Sequence, residues 1–435
     1  MSVLSYWRSR NLFLVLSIFL LGLVFLITGC STSQAELDFD KISKRFIGFR
    51  LDDYDKHEEE KRKVMEVREQ RFLNVLKQVL QKATPTTEVP DPNTWREHTS
   101  TFYMTDGSEA GPYVFRYERE PRTEKSIYIE FPDGWYEIPG QFNSLLQALL
   151  QYPSASAEVN PADEDFLRQY GWSPFFRIST KHLQLPSAFQ HRPGEYPFVL
   201  YWAYNNELNK DIGLDITPYL GQTVEVSLYK ISELLPEFME PRRSTGRVVV
   251  VRSQGELIGA WLDSGRHSSF ACSLKGQRLE EITGQTWEEW VSGLVDPQDP
   301  IEQKLANLTP EQIIRGYYAA VDRGDFSAAH TYESRRALTR YLSNNMDNNF
   351  LFNTGYPEKK SRGMSNTTAA KVISIKKLEG SLGNPRPGWR EYAVKVDLQV
   401  KQPITHGNGP QTRFIILSQE PPTMGWRIDS IGTGP

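Results

Sequence analysis

Between Asn11 and Ile27 the chain runs seventeen residues without a charge, nearly all Leu, Phe, Val or Ile, just after Arg8 and Arg10. A globular helix keeps a polar face toward water, so an unbroken apolar run of this kind belongs to a membrane or a secretion signal. It ends at Ile27-Thr28-Gly29-Cys30, and the polar Ser31-Thr32-Ser33-Gln34 follows. A positive start, an apolar centre and small residues before a cut are the parts of a secretory signal. A retained transmembrane helix is the alternative, since about seventeen residues is the lower limit for a span. The Gly-Cys pair and the polar stretch after it favour cleavage. On either reading the remainder folds outside the cytoplasm, tethered to a membrane.

The apolar run closed by Thr28-Gly29-Cys30 resembles the lipobox of bacterial lipoproteins. That resemblance implies residues 1–29 as signal peptide, lipidation of the Cys30 thiol and an extracytoplasmic anchor in the cell membrane. Acyl chains anchor because each buried methylene contributes about 0.8 kcal/mol. Only Cys272 then remains, and a lone thiol in an oxidising compartment reads as a buried core residue. Two cysteines also exclude a disulfide scaffold.

The 435 residues suggest roughly three domains at about 150 residues each. Lys and Arg total 50 against 54 Asp and Glu, so no basic field draws the chain to nucleic acid. Residues 30–54 read as a polar tether punctuated by Phe39, Phe46 and Phe49. An N-terminal α+β unit at 55–155 opens on a long helix. Asp55 and Glu58 form its capping box, Met65, Phe72, Leu76, Val79 and Leu80 its apolar stripe, and Pro85 its end. From Thr99 the period changes to two. Strands are expected at 101–104, 113–117 and 126–131, the last forming a hairpin with Trp135–Ile138, and a short helix at 142–150.

A central β-rich α+β unit at 162–298 has apolar runs expected as strands at 198–203, 223–229, 247–251 and 257–262. Thr286 caps a helix carrying Trp287 and Trp290, and Asp296-Pro297-Gln298-Asp299-Pro300 breaks the chain. The last unit, 305–435, starts with Thr309 as N-cap, Pro310 at the first helical position and Gln312 as reciprocal partner. A second helix with Ala328, Ala329 and Tyr332 and four strands near 370–378, 390–401, 412–418 and 425–431 complete it. The expected fold class is α+β: a lipid-anchored multidomain chain with an N-terminal helix, two β-rich α+β units and a C-terminal cone-shaped α+β domain.

The cone follows from a resemblance. Thr309-Pro-Glu-Gln-Ile-Ile-Arg-Gly-Tyr-Tyr-Ala-Ala-Val-Asp-Arg-Gly-Asp-Phe-Ser-Ala-Ala is similar to the opening of nuclear-transport-factor-like domains, the fold of ketosteroid isomerase. Gly425-Trp426-Arg427-Ile428-Asp429-Ser430-Ile431 resembles their last strand. With the lipobox, the chain resembles multidomain lipoproteins of Gram-positive bacteria, which implies a location and a fold but no activity. The resemblance places a pocket between the first helix and the sheet, with Tyr317, Tyr318, His330 and Tyr332 as candidate liners.

Signatures of nucleophilic, zinc, nucleotide or dinucleotide chemistry are missing from the sequence. Asp263-Ser264-Gly265-Arg266-His267-Ser268-Ser269 holds an acid, a cation and a base, making Asp263, Arg266 and His267 the weak catalytic candidates. Groups so close in sequence rarely converge as a triad, and a strand-connecting turn explains them as well. In the isomerase pattern a sheet Asp acts as base; here Asp397 alternates away from Val394, Val396 and Leu398. Aromatic pairs such as Trp287 and Trp290 serve either as core or as a stacking surface for sugar or peptide. No metal and no cofactor is expected. The function expected is non-enzymatic binding of an envelope component, cell-wall material or a protein partner. The alternative is a cell-surface hydrolase or isomerase using Asp263 and His267 or the cone pocket.

Overall fold

The alternating pattern of the first third folds into a seven-stranded antiparallel sheet, in a computed structural model that describes residues 39–53, 63–87, 95–118, 127–152, 156–239, 245–264, 270–337, 363–379, 387–403 and 407–434. Residues 1–29, with Cys30, Asp55, Glu58, Arg266 and His267, lie outside the described residues. The described chain is a multidomain α+β protein with three antiparallel sheets. Among the described residues no helix is long and apolar enough to cross a membrane. Two compact units divide it. One draws on Met1–Arg68, Lys77–Arg119 and Ile127–Ile138; the other draws on Glu69–Leu76, Glu120–Ser126 and Pro139–Pro435.

In the first unit, helix α1 (Phe39–Arg45) leads into β1 (Phe46–Asp53). Then come β2 (Lys63–Val67), helix α2 (Gln70–Leu80), which enters this unit from Lys77 onward, β3 (Thr84–Thr86), β4 (Trp95–Met104), β5 (Glu109–Glu118), β6 (Ile127–Phe131) and β7 (Gly134–Ile138). The sheet order is β2-β1-β4-β5-β6-β7-β3. Two expectations are corrected here. The supposed tether contains α1 and β1, because Phe39, Phe46 and Phe49 are core residues: all three are buried, and Phe39 stacks on Tyr136 at 4.3 Å. The helix expected from Asp55 gives way to strand β2, which pairs Val67 with Phe49 and Lys63 with Asp53. Lys63-Val-Met-Glu-Val alternates as well as it winds, and an available strand edge decides between the two. Residues 54–62 lie outside the described residues; among those described in this stretch helix begins at Gln70, and its Phe72, Leu73, Leu76, Val79 and Leu80 are buried.

The second unit opens with helices α3 (Gly140–Gln151) and α4 (Pro161–Arg168). Next come β8 (Pro174–Gln184), helix α5 (Phe198–Lys210), β9 (Thr223–Leu234), β10 (Thr245–Ser253) and β11 (Glu256–Asp263). The sheet β11-β10-β9-β8 is covered on both faces. Val249 and Val251 meet the Trp202 side, while Val248 and Val250 meet Leu167 and Cys272. A strand buried on both faces reads as a continuous apolar run, and Val248–Val251 is one. Phe198–Ala203, expected as a strand, is instead the start of α5. Phe198 to Asn206 are all buried, so this helix shows no polar face and no helical period.

Helices α6 (Leu279–Thr283), α7 (Trp287–Ser292) and α8 (Pro300–Ala306) follow. The break at 296–300 ends as the cap of α8, with the Asp299 side chain accepting from Ile301 N at 2.8 Å. Helix α9 (Pro310–Asp322) has its capping box: Thr309 Oγ1 accepts from Gln312 N, and Gln312 Oε1 from Thr309 N. Helix α10 (Phe326–His330) stops before Tyr332, which was expected within it. Strands β12 (Thr367–Leu378), β13 (Trp389–Val400), β14 (Gly409–Glu420) and β15 (Gly425–Gly432) form the last sheet in chain order. Ile313, Ile314, Tyr317, Tyr318 and Val321 form one buried cluster with Val394, Val396, Ile415 and Leu417.

Candidate functional site

The C-terminal end of α5 supplies Glu207, Lys210 and its capping residue Asp211 to an open groove of ≈ 710 Å³. Ser273 Oγ donates to Asp211 Oδ2 at 2.5 Å and Lys275 Nζ lies 3.3 Å from Oδ1, fixing the carboxylate against the segment that enters α6. At the head of α6 the Glu281 carboxylate accepts from Arg278 N at 2.7 Å. Gly284, at φ 68, ends that helix in the left-handed region where glycine is at ease. Thr286 then caps α7, its hydroxyl accepting from Glu289 N at 3.2 Å. Two short helices joined back to back therefore set Ile282, Thr283, Gln285 and Trp290 along one wall, with Gln277 beside them.

Chemically the groove is polar with an aromatic edge. Lys210 donates to Glu207 at 2.9 Å, and Thr283 is engaged with Leu279 O at 2.8 Å. The side-chain amides of Gln277 and Gln285 make no hydrogen bond to other described residues, so each offers a donor and an acceptor. Trp290 also joins a ring of contacts: Tyr204 to Trp290 at 6.0 Å, Trp290 to Trp287 at 5.3 Å, Trp287 to Phe270 at 5.9 Å and Phe270 back to Tyr204 at 5.6 Å. Tyr204 is anchored by donating to Ala271 O at 2.9 Å. Phe270 is 37% exposed and Trp287 half-buried, so the ladder runs from core to surface. Amides, carboxylates and aromatic edges together suit a hydroxyl-rich ligand, held by hydrogen bonds and by stacking of C–H faces.

The residues singled out from sequence lie elsewhere. Asp263 ends β11 opposite Arg247 on β10 and accepts from its Nη2 at 2.9 Å, with both side chains buried. Burial, and then the Asp263 charge, raise the neighbouring Tyr201 phenol well above its ordinary value. A carboxylate committed to a buried guanidinium is a poor general base. Arg266 and His267, its expected companions, are outside the described residues. Tyr317 and Tyr318 meet at 5.1 Å and 86° inside the C-terminal core, and burial raises both phenols. Tyr332 lies over Gly316, whose missing Cβ would sit 2.5 Å from the ring. His330 Nδ1 is 2.8 Å from Glu333 Oε2. Asp397 is half-buried beside Gln399, on the face away from Val394 and Val396. Among the described residues no group of three or more His, Cys, Asp or Glu is placed to hold a metal ion.

Of the groove, sequence reasoning named only Trp290, as part of an aromatic pair. A usable signal was present, with Thr283-Gly284 stopping one helix and Thr286-x-x-Glu289 starting the next. It marked the corner without showing what the corner faces.

Residues 166–262 match a family model described as Domain of unknown function (DUF4830), and residues 311–432 match another described as Domain of unknown function (DUF4829). No curated protein matches the chain. The first match spans most of α4 through β11, with Glu207, Lys210 and Asp211, and the second runs from α9 into β15. The α6–α7 wall of the groove falls between the two matches.

Proposed function

We propose that this chain is a non-enzymatic, lipid-anchored protein on the extracytoplasmic face of the cell membrane, binding a hydroxyl-rich envelope component in the groove between α5, α6 and α7. The observation that carries the reading is the joining of free Gln277 and Gln285 amides to the Trp290–Trp287–Phe270 ladder. The signal-like run to Cys30 supports the anchor. The order of two helices and then four antiparallel strands, with α9 packed on β12 and β15, supports a nuclear-transport-factor-like cone at 305–435. The rival hydrolase or isomerase reading has less support, because Asp263 is closed on Arg247.

The test uses full-length protein in membranes of a bacterial host. Incorporation of labelled palmitate should disappear in Cys30→Ser; label that persists would overturn the anchor. Co-sedimentation with isolated cell-wall polysaccharide should fall at least tenfold in the Gln277→Ala, Gln285→Ala, Trp287→Ala triple variant. Unchanged sedimentation would sink the groove as the binding site.

A further inference from the structure

The basic side chains around the groove at α5–α7 are spent on its carboxylates. Lys210 donates to Glu207 at 2.9 Å, and Lys275 lies 3.3 Å from Asp211. Arg278 lies 3.9 Å from Glu281, its guanidinium also 4.6 Å over the Phe238 ring. The lining itself holds the three carboxylates of Glu207, Asp211 and Glu281 against the one ammonium of Lys210. A polymer rich in phosphate or carboxylate would meet like charge there, with each nearby cation already paired. Such juxtaposition selects against a ligand as surely as a steric clash does.

The uncharged groups of the groove are held ready instead. Ser273 N donates to Gln277 O at 3.0 Å, and Gln277 N donates to Ser273 Oγ at 3.2 Å. Gln285 N donates to Thr283 Oγ1 at 3.2 Å. These turns fix both backbones, while the two side-chain amides make no hydrogen bond to other described residues. Beside them Ile282, half-buried against the core of this unit, adds an apolar patch, and Trp290 an aromatic edge. A carboxamide offers a donor and an acceptor on one planar group. An acetamido group presents the same pair in return, with a methyl that gains from apolar cover. Plain hydroxyls use the hydrogen bonds and leave Ile282 without a partner. We propose that the ligand of this groove is an N-acetylated amino-sugar polymer. Its acetamido groups pair with Gln277 and Gln285, a methyl lies on Ile282, and a sugar face rests against Trp290. The inference rests on the groove being the binding site and narrows hydroxyl-rich envelope material to one chemical class.

Isothermal titration of the full-length protein in detergent tests it with three tetrasaccharides. One is β-1,4-linked N-acetylglucosamine; the second is β-1,4-linked glucose, with hydroxyl in place of acetamido; the third is the polyanion galacturonate. The acetamido tetramer should bind at least tenfold more tightly than the glucose tetramer, because a site built to hydrogen-bond a group rejects the analogue lacking it. Galacturonate should give no saturable heat. Gln277 and Gln285 are exposed, so the Gln277→Ala, Gln285→Ala double variant keeps the core intact. Its affinity for the acetamido tetramer should fall at least tenfold, leaving the two neutral tetramers within about twofold of each other. Three results would each overturn the acetamido assignment: equal affinity for the two neutral tetramers in the wild type, saturable galacturonate binding, or a preference that persists in the double variant. Sedimentation with wall polysaccharide separates this failure from failure of the groove itself. If sedimentation drops in the Gln277→Ala, Gln285→Ala, Trp287→Ala variant while the tetramers show no preference, the groove stands and only its acetamido ligand falls. If sedimentation is unchanged and no tetramer binds, both fall.

Discussion

His98 and His191 are buried imidazoles whose pKa values are both pushed down to about 3. For His98, inside the seven-stranded sheet, the cause is burial. For His191 burial leads and the Arg335 charge adds to it. His191 also has its tautomer chosen for it. Arg335 Nε can only donate, so Nδ1 at 3.3 Å accepts, and Nε2 donates to the Glu195 carbonyl at 3.2 Å. Below pH 6.5 the unfolded chain takes up a proton at each position while the folded chain stays neutral. Stability is therefore whole above the ordinary histidine pKa and falls by about 1.4 kcal/mol per pH unit per histidine between 6.5 and 3. Urea unfolding at pH 7.5, 6 and 5 should show this slope, and His98→Phe should reduce it by one proton. An unchanged slope in that variant would remove His98 from the account. Cys272 carries the same lesson for a thiol: buried against Met239, its pKa is pushed up to about 12, which makes it inert packing.

At the scale of elements, caps and close approaches contribute in different ways. The Thr309–Gln312 box closes the exposed start of α9, and Thr309→Ala should cost about 1 kcal/mol. Gly425 begins β15 where the strand passes the backbone of α8: a Cβ there would lie 2.9 Å from Ala306 Cα and 2.8 Å from Arg427 Nη1. Neither neighbour is a free side-chain end, so Gly425→Ala should cost more than the cap, about 1–3 kcal/mol as overpacking does. Urea denaturation of both variants decides the ranking, and a Gly425→Ala loss below that of Thr309→Ala would refute the close-approach reading. The cap was legible because its partners lie three residues apart. The close approach was not, since Ala306 and Gly425 are brought together only by the packing of α8 on β15.

At the scale of the second unit, one buried polar cluster joins segments far apart in sequence. Glu302 on α8 accepts from Arg335 and, at 2.7 Å, from Arg427 on β15; Glu420 on β14 takes Arg335 at 2.8 Å. His191, from the loop after β8, meets the same guanidinium. Nearby Arg192 pairs with Asp299 at 2.8 Å, and Gly194 comes close enough to α10 that a Cβ would meet Thr331 Cγ2 at 2.5 Å. The loop following β8 is thereby fastened to the domain built on β12–β15. Removing one charge from a buried network leaves the others unpaired, so Glu302→Gln should destabilise by about 3–5 kcal/mol. Calorimetry should show the single melting transition of this unit separate into two; a variant that still melts as one, within about 1 kcal/mol of wild type, would show the network to be dispensable.

What the sequence determined by itself was local. The boxes at Thr286 and Thr309, the Gly134 hairpin, the continuous apolar run of β10 and the alternating strands β13 and β14 depend on groups within a few residues of one another, and patterns over that range are written in residue order. Tertiary structure decided everything whose signal is erased by complete burial or supplied by a distant partner. Phe198–Asn206 is helix although it has no polar face, Lys63–Val67 is strand because β1 offers an edge, and the aromatic residues of the supposed tether are core. The same holds for function. Whether Gln285 shares a groove with Glu207 is set by which segments pack together, and no spacing along the chain records it.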